Sequence, residues 1–208
     1  MSKIFRTITI AAALLGLFAC NTTTFTSTWK APGVAQLSPV GKTIAAVFVT
    51  NDLGKRRSGE DLLAADITKR GAHGVAAYTI VPDSARNDGN AALAALRAAG
   101  ADAAVIMRIV GKDQQVNYTP GTVMPAYYGG FGPYWGYGWG AAYSPGTVST
   151  DTIVSVETLV YSLASDKMLW ASTSRTTNPN NLDSLISDVA DATANEMVKQ
   201  GFIAPPPK

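Results

Sequence analysis

The stretch that decides the fold covers residues 151–176 and has the sequence DTIVSVETLVYSLASDKMLWASTSRT. It contains two runs rich in β-branched and aromatic residues, 152–163 and 167–176, separated only by residues 164–166. A connection this short joins neighbouring antiparallel strands, whereas parallel strands need a long crossover. The stretch therefore predicts a β-hairpin.

Upstream of the hairpin, strand-like and helix-like runs alternate. Residues 43–49 (TIAAVFV) form a short β-branched run that is typical of a buried strand. A helix is expected to follow, with Ser58 as its N-cap, Asp61 in a variant of the capping box and Gly71 at its end. The basic run 55–57 then lies before the helix, as a solvated loop.

The alternation continues with a strand over 75–81, a helix over 90–99 and a strand over 103–110. Single helices between strands indicate right-handed parallel crossovers. After the hairpin, apolar residues at three- and four-residue steps predict a helix over 182–200, after a cap at Asn180 or Asn181.

The predicted order is β-α-β-α-β, a long Gly/aromatic loop over 113–150, a β-hairpin and a C-terminal helix. This is an α/β fold with one mixed sheet (α+β) flanked by helices. The sequence predicts one such domain over 43–203, followed by a Pro-rich tail over 204–208.

The N-terminus predicts secretion. Lys3 and Arg6 precede an apolar run over 7–18, which is too short to span about 30 Å of hydrocarbon. We therefore expect residues 1–19 to be a signal peptide, with a flexible tether over 20–42 behind it.

The end of this signal resembles a bacterial lipobox, with Leu17 at −3, Ala19 at −1 and Cys20 at the acylated position. Phe18 is bulkier than the residue usual at −2. The resemblance implies acyl chains such as palmitate on Cys20, and Asn21 lacks the aspartate associated with inner-membrane retention. We expect a lipid-anchored protein, at the outer membrane and facing the periplasm.

The charge balance excludes broad capture of anionic partners. Removing Lys3 and Arg6 with the signal brings the 17 basic residues down to the number of acidic residues, 15. Nucleic-acid binding needs a basic stripe, which this neutral chain does not have. We expect membrane attachment through the acyl chains and no nucleic-acid partner.

Residues 127–143 (YYGGFGPYWGYGWGAAY) concentrate aromatic residues and glycine without any charge. They either fold back to cover the core of the domain or bind a partner, including a second copy or a membrane interface. The candidate partner-binding residues are Tyr127, Tyr128, Phe131, Tyr134, Trp135, Tyr137, Trp139 and Tyr143.

No catalytic, cofactor or metal pattern is complete. The segment around Lys42 lacks the first glycine of a phosphate-binding loop and precedes a strand instead of following one. His73 has no companion ligands at metal-binding spacing and is expected to be an exposed turn residue. No G-x-S-x-G motif is present. We predict no cofactor, no metal and no catalytic residue.

Charged residues inside apolar strands need partners, because an unpaired buried charge costs several kcal/mol. Arg108 and Glu157 are expected to form a cross-strand ion pair or to face solvent. A cell-wall enzyme stays an alternative if two carboxylates meet in a cleft. The four candidates are Asp83, Asp113, Asp151 and Glu157.

The lipobox, the aromatic-glycine loop and the segment ETLVYSLASDKMLWASTS together resemble a group of uncharacterised bacterial envelope lipoproteins. The element order is also similar to the N-terminal domain of TolB and to CsgG-like and LpoB-like periplasmic domains. These resemblances imply a non-catalytic binding or scaffold protein of the envelope. A structural protein that self-associates through the aromatic loop is the other alternative.

Overall fold

The computed structural model describes residues 23–120 and 147–205. They form a six-stranded mixed sheet with three helices, which confirms the predicted fold class. The strands are β1 (Thr23–Lys30), β2 (Thr43–Val49), β3 (His73–Ala76), β4 (Ala103–Thr119), β5 (Thr147–Ser162) and β6 (Lys167–Thr177). The helices are α1 (Leu53–Lys69), α2 (Gly89–Ala98) and α3 (Leu182–Lys199).

The strand order in the sheet is β1-β6-β5-β4-β2-β3. The pairs β2–β3 and β2–β4 are parallel, as the predicted crossovers require, and β4–β5, β5–β6 and β1–β6 are antiparallel. The hairpin predicted from residues 151–176 is confirmed. Its tight turn includes Asp166 at φ 52°, in the left-handed region that aspartate tolerates.

The tether expected over 20–42 is wrong for residues 23–30, which form the edge strand β1 against β6. Threonine is β-branched and suits a strand, so a Thr-rich segment that looks like a polar linker is also a good edge strand. Residues 31–42 then cross to β2, and Leu37 bridges to Ile203. Cys20, Leu17 and Ala19 lie outside the described residues.

Helix α1 begins six residues earlier than its predicted N-cap. Asp52 is the cap, and its carboxylate accepts a hydrogen bond from the Lys55 amide. The basic run 55–57 is therefore helical and not a loop. Arg56 is buried, and its guanidinium donates to Glu60 (3.1 Å) and Asp83 (3.0 Å).

Glu60 is fully buried at the junction of α1, β2 and the turn after β3. Besides the Arg56 guanidinium, the amides of Phe48 and Tyr78 donate to its carboxylate. Burial away from water raises the pKa of this carboxyl, although the hydrogen bonds from these donors act in the lowering direction. These contacts join α1 to β2 and to the turn after β3, so we assign Arg56 and Glu60 a structural role.

The strand predicted over 75–81 is shorter and earlier than expected. β3 ends at Ala76, and a 3-10 turn over Ala77–Thr79 replaces the rest. Burial of Ala76, Ala77 and Val81 explains the apolar run without a strand. The helix predicted over 90–99 is confirmed within one residue as α2, and the predicted Asn181 cap of α3 forms a capping box with Ser184.

The sheet has a helix layer on each face. On one face α1 and α3 pack on Ala46, Met107 and Val156. On the other face α2 covers Ala45 and Ala104. The alternation of Ala45 and Ala46 between the two clusters follows the two-residue period of a strand.

Candidate functional site

Strands β4 and β5 remain paired well beyond the rest of the sheet. Pairing with β2 stops at Arg108 and pairing with β6 stops at Ile153, but the β4–β5 ladder continues to Thr119 opposite Thr147. Residues 114–119 and 147–152 thus form a projecting two-stranded segment, called the ribbon below. At about 3.4 Å per residue it is about 17 Å long.

The ribbon corrects the loop predicted over 113–150, because residues 113–119 and 147–150 are strand. The strands predicted over 103–110 and 152–163 are therefore shorter than the observed β4 and β5 at the end that forms the ribbon. The sequence KDQQVNYT has few apolar residues and does not alternate as a half-buried strand does. These residues are held by pairing with the partner strand and not by burial in a core.

One face of the ribbon, called the apolar face below, carries three exposed apolar side chains beside polar ones. Tyr118 lies opposite Val148, and Val116 is two residues away on the same face. Their side chains are 67%, 66% and 66% exposed, in that order. Val148 shares its face with Val154, which packs under α1 and α3. The apolar face therefore continues the helix-covered side of the sheet past the end of the helices.

The other face of the ribbon is polar and tied to the end of β6. Asp151 accepts hydrogen bonds from the side-chain amides of Asn117 (2.6 Å) and Asn178 (2.7 Å). The Asn178 side-chain oxygen in turn accepts from the Thr152 amide at 2.8 Å. This network orients the base of the ribbon and involves one of the four candidate carboxylates.

The aromatic candidates, Tyr127 through Tyr143, lie outside the described residues. The chain leaves the described part of β4 at Pro120 and re-enters at Thr147. Because Thr119 and Thr147 are paired, both ends of the aromatic segment are attached to the free end of the ribbon.

The remaining candidate carboxylates occupy different positions and have different neighbours. Glu157 pairs across the strands with Arg108 (2.9 Å), which confirms the predicted ion pair. Asp83 pairs with Arg56. Asp113 lies opposite Ile153 in the ladder and is exposed. Within the described ranges, no group of three or more His, Cys, Asp or Glu side chains is arranged to hold a metal ion.

Two smaller predictions are also settled. His73 is exposed at the start of β3, as expected. Lys42 forms an ion pair with Asp102 at 3.1 Å. Among the described helices, none is long and apolar enough to cross a membrane.

The structure also contains a cavity of about 380 Å³ that the sequence does not predict. It lies between α1, α3 and the sheet, with residues 37–39 and 202–203 at one side. Each helix contributes residues spaced three or four positions apart, which lie on one face of that helix. The lining residues are Leu63, Asp66 and Ile67 of α1, its C-cap Arg70, and Ala190, Thr193, Ala194 and Met197 of α3.

The cavity has a physical origin in the paths of the two helices. α1 packs on β2 and β3, while α3 reaches β6 and β1 at the opposite side of the sheet. The space between them lies over β4 and β5, and Val105 near the start of β4 is only partly buried there. Such a gap depends on the angle between the helices, which local sequence patterns do not reveal.

No protein-family model and no curated protein sequence matches the chain. Among solved structures, the chain is similar to a PelC dodecamer from Paraburkholderia phytofirmans, with 14% identity, a TM-score of 0.45, and coverage of 82% of this chain and 94% of that one. It is also similar to the lipoprotein GNA1162 from Neisseria meningitidis, with 16% identity, a TM-score of 0.40, and coverage of 76% and 99%. Because both TM-scores lie below 0.5, neither likeness assigns a function or a partner to this chain.

Proposed function

We propose that this chain is a lipid-anchored binding or scaffold protein of the bacterial envelope, and that it docks on a protein partner through the ribbon and the aromatic segment. The observation that carries the proposal is the exposed apolar face formed by Val116, Tyr118 and Val148. This face leads directly into residues 121–146, in which the aromatic residues are concentrated.

The anchoring part of the proposal rests on the sequence. The signal over 1–19 and the lipobox around Cys20 predict acyl chains, and each buried CH₂ contributes about 0.8 kcal/mol to membrane attachment. The outer membrane, facing the periplasm, is the proposed location. Attachment at Cys20 places the anchor three residues before β1.

The docking part rests on what a ribbon can do physically. An isolated two-stranded ribbon gains little stability by itself. Within the described residues, both outer edges of the ribbon lack a neighbouring strand. Apart from Thr152, whose amide and carbonyl bond Asn178, the edges therefore offer backbone groups for pairing with another chain. An apolar face and two open edges on one projecting element favour recognition of a protein surface.

A non-catalytic role is supported by the state of the candidate acids. Asp83, Asp151 and Glu157 are each engaged in an ion pair or amide network. An acid/base pair would need two carboxyl groups within about 5–9 Å, facing one cleft. The cavity between α1 and α3 contains none of the four candidates.

The proposal is tested by site-specific photocrosslinking in intact envelopes. A photoreactive amino acid replaces Tyr118 on the ribbon. In the matched control it replaces Val40, which is also exposed but lies in the segment 31–42 between β1 and β2. We expect a specific protein adduct from position 118 and none from position 40. Mass spectrometry of the adduct separates a different protein from a second copy of this chain.

The same experiment on Cys20→Ala tests the anchor. Loss of membrane association together with loss of the adduct supports a lipid-anchored docking protein. The absence of any specific adduct at position 118, or equal adducts at both positions, would overturn the docking proposal.

A further inference from the structure

The cavity between α1 and α3 has the size and chemistry of a ligand site. Protein interiors are close-packed and contain few voids larger than a water molecule, whereas ligand pockets measure about 300–1,000 Å³. A cavity of about 380 Å³ belongs to the second class. Apolar cavities of about 150 Å³ already bind benzene-sized molecules, so this one accommodates a longer apolar chain.

Its walls are mainly aliphatic. Val105 and Val160 come from the sheet, Ile67 from α1 and Met197 from α3, and Leu37 lies at the rim. Methionine adapts to irregular ligand shapes because it is unbranched. The walls therefore favour a flexible hydrocarbon chain.

Two buried hydroxyl groups interrupt the apolar lining. Thr158 on β5 is 1% exposed and Thr193 on α3 is 4% exposed, and both line the cavity. Neither hydroxyl has a hydrogen-bond partner in the described part of the chain. By contrast, Thr68 in α1 donates to the carbonyl of Ala64, the usual arrangement for threonine in a helix.

An unpartnered buried hydroxyl costs about 1–3 kcal/mol, so native proteins rarely leave two in one cavity. A ligand hydroxyl that accepts a hydrogen bond from one threonine hydroxyl and donates one to the other gives both threonines a partner. A ligand carbonyl oxygen that accepts from both does the same. A hydroxyl or carbonyl oxygen has the required hydrogen-bonding capacity.

The charges near the cavity are already neutralised. Lys42 pairs with Asp102, and Arg70 pairs with Asp66 and Asp191. An anionic headgroup would compete with these carboxylates for the same cations and would be repelled by them. An uncharged ligand avoids both penalties.

We propose that the cavity between α1 and α3 binds an uncharged single-chain amphiphile, with its hydroxyl or carbonyl oxygen bonded to Thr158 and Thr193. The chain lies against Val105, Val160 and Met197. This site is separate from the ribbon, so ligand binding in the cavity does not depend on the docking function.

The test uses the full acylated chain in liposomes and a photoreactive fatty alcohol of ten carbons that carries a diazirine in its chain. We expect the label on peptides from β4, β5 and α3 that line the cavity. Competition is measured with 1-decanol, decane and decanoate. Decanol should compete about 3- to 10-fold better than decane, the range expected for one added hydrogen bond, and decanoate should compete less well than decanol.

Three variants sharpen the test. Ala194→Phe should abolish labelling by filling the cavity. Thr158→Val keeps the side-chain shape and should reduce the advantage of decanol over decane, because only the Thr193 hydroxyl remains to bond the ligand oxygen. Ser172→Ala is the matched control, because Ser172 is a buried hydroxyl without a partner among the described residues but does not line the cavity. It should leave labelling unchanged.

If Ala194→Phe fails to fold, Thr158→Val still decides the question, since its effect is a change in relative potency. Labelling outside the cavity peptides, equal competition by decane and decanol, or strongest competition by decanoate would overturn the proposal. Variants of the ribbon should label as the wild type does, which separates this site from the docking surface.

Discussion

Tyr118 on β4 lies directly opposite Val148 on β5, and both side chains are about two-thirds exposed although the ladder between their strands is intact. Large apolar residues at this degree of exposure gain little from the fold of their own chain. Together with Val116 they form a continuous apolar strip on a projecting element. The strip is explained if another surface covers it, which is the basis of the docking proposal.

Replacing Val116 and Val148 with threonine should therefore abolish partner binding without changing the free energy of unfolding. Threonine keeps the β-branched shape that suits a strand, and exposed substitutions usually change stability by no more than about 0.5 kcal/mol. Urea unfolding followed by pulse proteolysis should be unchanged, while the adduct from position 118 should be lost. A matched pair of threonine substitutions at exposed Val40 and Val49 should affect neither.

Alanine substitution should lower the free energy of unfolding much more at Trp170 than at Trp135. Trp170 is fully buried, stacks with Phe202 and donates to Gln200 at 3.0 Å. Its removal should cost about 3–5 kcal/mol. If the aromatic segment faces a partner, Trp135→Ala should cost no more than about 0.5 kcal/mol. A cost for Trp135→Ala close to that for Trp170→Ala in the same urea titration would mean that the segment covers the core instead.

Gly74→Ala should destabilise the domain through a backbone clash. A Cβ at Gly74 would lie 2.1 Å from the Ala64 carbonyl oxygen, so α1 would have to move away from β3. The expected loss is at least about 1–3 kcal/mol. Gly89→Ala is the control, because a Cβ there has open space at the start of α2 and alanine is the better helix former. Equal stability of the two variants in urea would contradict this packing.

Asp102 should contribute stability that disappears in acid. The Thr43 amide (2.9 Å) and the Lys42 ammonium lower the pKa of the Asp102 carboxyl below its ordinary value of 3.8. A carboxyl whose pKa is lower in the folded state stabilises the fold above its unfolded pKa, and this contribution is lost as the pH falls through the folded pKa.

Asp102→Asn should consequently be less stable than the wild type at pH 7, by no more than about 1 kcal/mol for an exposed pair. The difference should close as the pH falls below about 4. Urea midpoints measured from pH 2 to pH 7 check this. A stability gap that widens in acid would contradict the assignment of these donors to Asp102.

Much of the fold follows from local patterns in the sequence. The hairpin over 151–176, the strand Thr43–Val49 and the helix capped by Asn181 each combine the right hydrophobic period with a defined turn or cap. Arg108 and Glu157 were predictable as a pair because two opposite charges inside apolar strands have few other ways to be satisfied.

The elements that were wrong depend on tertiary context. β1 is a polar edge strand that is paired with β6. α1 begins early because Asp52 caps it, and Arg56 within the helix pairs with the buried Glu60. The ribbon continues without a hydrophobic core because each strand pairs with the other. The cavity lies between α1, α3 and the sheet, and the lack of partners for Thr158 and Thr193 among the described residues marks it as a candidate site.

The central claim is that the aromatic segment and the ribbon together bind a protein partner. The most direct measurement is the yield of the crosslinked adduct from position 118 after the eight aromatic residues between Tyr127 and Tyr143 are replaced with serine. We expect the adduct to disappear while the urea midpoint of the full chain stays at the wild-type value. An undiminished adduct would contradict it.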